Sequence, residues 1–111
     1  MRDRRLLQDG PDWQSLRAGF RWAVPDRMNI AWLCCDSWAA HDPARRAIIQ
    51  RDPDGARTLW TYGQIKRASD GLAVALAALG VVPGDRVAVL VPQHPAAIIT
   101  HFAAMKLGAI S

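Results

Sequence analysis

A chain of 111 residues is the size of one domain. It can bury a core but has little room for a core plus an enclosed active site. Half of the residues are hydrophobic and 22% are charged, which excludes a wholly disordered chain. The charged side chains are 12 Arg and 2 Lys against 10 Asp and no Glu, for a net charge of +4. That excess is spread evenly along the chain. No basic stripe interleaved with aromatics exists, so nucleic acid is not an expected partner.

Residues 1–27 read as an irregular N-terminal arm, punctuated by Gly10-Pro11, Gly19 and Pro25. Trp13, Leu16, Phe20 and Trp22 read as hooks that lay this arm on a larger body. The charged start from Met1 to Asp9 has no apolar run behind it, unlike a secretory signal. A first helix is expected from about Ile30 to His41, capped by Asn29. Ile30, Leu33, Cys34, Ser37 and Trp38 share one helical face, which makes Cys34 a small core residue. His41-Asp42-Pro43 ends the helix, because a residue before proline avoids the α region. Adjacent Cys34 and Cys35 do not suit a mutual disulfide, and two unframed thiols fit a reducing cytoplasm.

Residues 47–51 and 57–61 read as two strands joined by Asp52-Pro53-Asp54-Gly55, a turn in which Pro presets φ and Gly takes a positive one. Thr61-Tyr62-Gly63-Gln64 has the spacing of a capping box. Behind it, Ile65, Ala68, Leu72, Leu76 and Leu79 line one helical face, and Gly80 closes the helix. After the turn Pro83-Gly84-Asp85, the apolar run from Arg86 to Val91 suits a central parallel strand covered on both faces. Pro95 then opens a helix to about Leu107, with Ile98, Phe102 and Met105 on one side and Gly108 as its cap. Ala109-Ile110-Ser111 reads as the start of a further strand. The uncharged stretch from Val87 to Met105 holds Pro92, Gln93, His94 and Pro95, which argues against a membrane span. The fold class is therefore α/β: a hairpin plus a βαβ unit, in a mostly parallel sheet that is incomplete in these residues. The expected reading is the leading piece of a longer domain.

Few residues suggest chemistry. No Gly-x-Ser-x-Gly, no Gly-rich phosphate loop and no Cys/His metal spacing exists. Asp52 and Asp54 are explained by their turn, and Asp85 by amide capping. His94 follows the inferred strand's C-terminal end, where α/β folds place ligands, but reads first as a cap or solvent-facing group. His101, seven residues on, does not share a metal with it. Lys66 and Lys106 read as solvated helix residues.

Three stretches together resemble the start of an acyl-CoA synthetase of the adenylate-forming, AMP-binding superfamily. They are Trp60-Thr61-Tyr62-Gly63-Gln64-Ile65 with Ser69 and Leu72-Ala73; Gly84-Asp85-Arg86-Val87-Ala88-Val89 with Pro92-Gln93 and Pro95; and Met105-Lys106-Leu107-Gly108-Ala109-Ile110. Gln64-Ile65 departs from the usual Glu-Leu, but Gln caps as Glu does. Upstream, Phe20, Asn29-Ile30-Ala31, Asp36 and Trp38-Ala39 resemble the lead-in of acetyl- and medium-chain acyl-CoA synthetases. The resemblance covers residues 28–111, which it marks as a partial AMP-binding domain, truncated at its C-terminal end.

The resemblance implies that a carboxylic acid attacks ATP to give an acyl-adenylate, and that the thiol of CoA then displaces AMP. Mg2+ would neutralise the phosphates. The family's phosphate loop, metal Glu, ribose Asp and C-terminal Lys have no counterpart in these residues. No catalytic, cofactor-binding or metal residue is therefore assigned; the segment alone is expected to be inactive, and the protein it belongs to is expected to be cytoplasmic. Two alternatives remain open: a non-catalytic truncated relative serving as an interaction module, and the adenylation domain of a peptide synthetase.

Overall fold

The structure, a computed structural model, describes residues 12–22 and 24–111. The order is α1 (Trp13–Gly19), a π-helical turn (Trp32–Asp36) running into α2 (Ser37–His41), β1 (Arg46–Arg51), β2 (Arg57–Thr61), α3 (Tyr62–Ala78) and α4 (Pro95–Lys106). None of the described helices is long and apolar enough to cross a membrane.

The N-terminal arm is not irregular throughout. Asp12 accepts a hydrogen bond from Ser15 N–H and starts α1, a helix with no buried residue. That hydrogen bond also holds the Asp12 carboxyl below its ordinary range. The hooks do not bury themselves in this chain: Trp13 and Trp22 are largely exposed, and Phe20 meets Trp22 edge-on at 4.9 Å. The residues before Asp12 lie outside the described ones.

Asn29 caps the next helix as expected, its Oδ1 accepting from Trp32 N–H. The buried face differs from the expected one. Ala31, Cys35 and Ala39 point inward, while Ile30, Leu33 and Cys34 are exposed. Small side chains let this helix approach Ile65 and Phe102 closely, and the π turn shifts the face that an α-helical period would give. Burial, and then the neighbouring Asp36 charge, push the Cys35 thiol up to about 11.

The hairpin forms in antiparallel register, with Ile48 opposite Trp60 and Arg51 opposite Arg57. Its turn closes through Gly55 N–H donating to Asp52 O, with Gly55 at φ 88°. Thr61 then ends β2 and caps α3. Gln64 N–H donates to Thr61 Oγ1, and Thr61 N–H donates to Gln64 Oε1. Gly63 is required here, because a Cβ would lie 2.9 Å from Pro43 O. The buried row of α3 is Ile65, Ser69 and Ala73, flanked by half-buried Ala68, Leu72 and Leu76; Leu79 is exposed. α4 packs across α3 through Phe102, Ala103 and Ala104.

The expected central strand is the main departure. Arg86 makes one isolated parallel bridge to Ile110, where Val87 N–H donates to Ile110 O and Ile110 N–H donates to Asp85 O. The direction is parallel, as expected, but the pairing stops there. Leu90 is 98% exposed, and the two-stranded sheet of the described residues is antiparallel. A strand cannot satisfy its own backbone, so an apolar run without a neighbour stays unladdered.

Candidate functional site

The first and third resemblance-bearing stretches meet where α3 packs against α4 and the π turn. Lys106, near the end of α4, is the hub. Its Nζ lies 2.9 Å from Asp36 Oδ1, off the hydrogen-bond axis, and donates to Asp70 Oδ1 at 2.5 Å and Ser69 Oγ at 2.9 Å. Ser69 is fully buried and its hydroxyl donates a hydrogen bond to Lys66 O. Lys66 pairs with the other oxygen of Asp70, one turn along α3. Lys106 is thus not the solvated helix residue expected: its side chain is 13% exposed. Lys66 keeps more solvent contact, and the Asp70 hydrogen bond pushes its ammonium above the ordinary range. Burial would raise Asp70, but hydrogen bonds from Lys106 and Lys66 outweigh it and hold the carboxyl low.

Two further contacts tie the same elements. Asn29 Nδ2 donates to Met105 O at 2.7 Å, so the cap of one helix also holds the end of α4. Tyr62 stacks on Trp38 with centroids 5.9 Å apart, and the Arg45 guanidinium lies over the Trp38 ring, 4.4 Å from its centroid. Every one of these contacts positions helices. None sets a nucleophile beside a base.

A cleft of about 440 Å³ opens between β1 and the first half of α4, bordered by Gln50, Arg51, His94, Pro95, Ile98 and His101. His94 is a cap, as expected, its Nδ1 accepting from Ala96 N–H. The structure brings His101 to the same cleft, which the sequence reading missed; their seven-residue spacing along one helix was the available signal. A smaller cavity of about 120 Å³ lies behind it, between Cys35, Ile48, Tyr62, Ile65, Ile98 and Phe102. No group of three His, Cys, Asp or Glu able to hold a metal ion occurs among the described residues. Asp85 caps its turn, accepting from Val82 N–H at 2.9 Å.

Comparison with known proteins agrees with this placement. A family model described as AMP-binding enzyme matches residues 35–111. Acetyl-coenzyme A synthetase 1 of Candida albicans is 38% identical over 91 residues, covering 80% of this chain and 13% of that protein. The acetyl-coenzyme A synthetase of Emericella nidulans is 35% identical over 115 residues, covering 96% and 17%. The crystal structure of a Brucella canis acyl-CoA synthetase superposes with a TM-score of 0.69 at 30% identity, covering 75% of this chain and 15% of that one. The chain therefore spans less than a fifth of the length of these relatives. Matched by that family model over its last 77 residues, from Cys35 to Ser111, the chain belongs to the AMP-binding enzyme family.

Proposed function

We propose that this chain is the leading segment of an acid–CoA ligase that adenylates a carboxylate with ATP and passes the acyl group to CoA. Residues 1–27 form its arm, and residues 28–111 the first part of its AMP-binding domain. The likeness to acetyl-CoA synthetases, which extends over 96% of the chain in one relative, carries this reading. It also disfavours a peptide-synthetase adenylation domain. In this reading the segment's own work is structural. The Lys106 hub fixes α3 against α4, and the turn after α4 aims Ile110 along Arg86.

Among the described residues no group of three His, Cys, Asp or Glu lies together and the glycines are scattered, which supports placing a Mg2+–ATP site elsewhere in the protein. We assign the phosphate loop, the metal carboxylate and the CoA and acid pockets to residues beyond this chain, in a cytoplasmic protein. The test is ATP–pyrophosphate exchange with acetate, propionate or octanoate. The chain alone should give background exchange, and exchange that vanishes on removing Mg2+ would overturn the assignment. Reading the transcript past Ser111 separates the rival. A Ser/Thr/Gly-rich stretch ending in Pro-Lys supports the ligase. A stop codon supports the interaction module, which the exposure of Trp22 and Leu90 favours.

A further inference from the structure

We infer that His94 is a proton-sensitive cap on α4, and that its protonation frays the first turn of that helix and reshapes the cleft against β1. His94 sits at the N-cap position with extended backbone, and its Nδ1 accepts from Ala96 N–H at 3.1 Å. Only a neutral imidazole has an accepting nitrogen; the cation has two donors and no acceptor. The usual capping residues keep an accepting oxygen across the physiological range. Histidine changes charge within it.

The first turn of α4 depends on this one residue. Pro95 has no N–H to place. Ala96 N–H goes to the His94 ring, and Ala97 N–H goes to the His94 carbonyl at 2.9 Å. The N3 position is Ala97, so no side chain reaches back as Gln64 does on α3. Protonation acts in one direction three times over. It turns Nδ1 into a donor facing another donor. It puts a cation at the positive end of the helix dipole. It adds charge to a cleft whose other charged or titratable neighbours are Arg51 from β1 and His101 from α4, with no carboxylate bordering it among the described residues. The nearby acid Asp52 is engaged by Gln50 Nε2 at 2.7 Å. His94 is itself exposed, so protons reach it. Because His94, Pro95, Ala97 and Ile98 wall the cleft, fraying alters its shape.

The test is amide hydrogen exchange by NMR on the whole chain between pH 8 and pH 5, corrected for the intrinsic pH dependence of exchange. Ala96 and Ala97 should lose about fivefold in protection on acidification, the factor that matches a lost cap. Gln64, held by the Thr61 hydroxyl, should show no such loss. His94→Asn should stay capped at both pH values and abolish the response. His94→Ala should be frayed at both. An unchanged pH response in His94→Asn, flat protection of Ala96 in the parent, or an uncapped Ala96 amide at pH 8 would each overturn the inference.

Discussion

The α3–α4 contact and the segment from Val87 to Val91 are both apolar, and they are held very differently. Ile65 is 2% exposed and Phe102 is 8% exposed at the helix contact, whereas Leu90 in the extended segment is 98% exposed. Helices close their backbone hydrogen bonds internally and bring a finished surface to one another. A strand brings half of its bonds unmade and waits for a neighbour. Among the described residues that neighbour amounts to one bridge, Arg86 to Ile110. The lesson is that hydrophobicity decides what can be buried, and the backbone decides what must be present first.

The sharpest way to break this comparison is to truncate one side chain in each region. Ile65→Ala should destabilise the chain by about 3 kcal/mol, since it removes methyl groups from a site that small neighbours cannot refill. Leu90→Ala should change stability by less than about 0.5 kcal/mol. Urea unfolding followed by tryptophan fluorescence reads both. A Leu90→Ala cost equal to that of Ile65→Ala would show that the extended segment is packed after all.

How far the fold could be read from sequence follows the same division. The hairpin turn, the capping box, Pro95 at the head of α4 and the glycines at positive φ are local devices, and each was legible as spacing. The inward face of residues 30–41 was not. Ranking by hydrophobicity chose Ile30 and Leu33, while packing chose Ala31, Cys35 and Ala39 for their size. The hub was also hidden. Asp36, Asp70 and Lys106 lie far apart in sequence, and a lysine near a helix end looks the same whether it is solvated or paired with two carboxylates.

Breaking that hub is the second largest expected effect. Lys106→Met keeps the apolar stem and removes the cation, leaving the half-buried Asp36 carboxylate without its counter-charge, while Ser69 keeps its bond to Lys66 O. The cost should be about 2 kcal/mol, below that of a fully buried pair because Asp70 remains partly solvated. Adding Asp36→Asn should recover part of the loss, because it removes the uncompensated charge. If the double variant is as unstable as the sum of the singles, the two groups do not act as a pair.

The smallest effect tests the local side of the comparison alone. Thr61 is the last residue of β2 and the cap of α3, so one hydroxyl marks where extended backbone gives way to helix. Gln64 N–H donates to it at 3.2 Å, and the Gln64 side chain returns the bond to Thr61 N–H at 2.8 Å. Thr61→Ala deletes the first bond and leaves the second, so it should cost about 1 kcal/mol. Thr61→Ser keeps the accepting oxygen and should cost less, with only the methyl group lost. Chemical denaturation of the three chains side by side gives the order. Equal stability of Thr61→Ala and Thr61→Ser would mean that the methyl group, and not the cap, is what Thr61 contributes, and that packing against the hairpin starts α3.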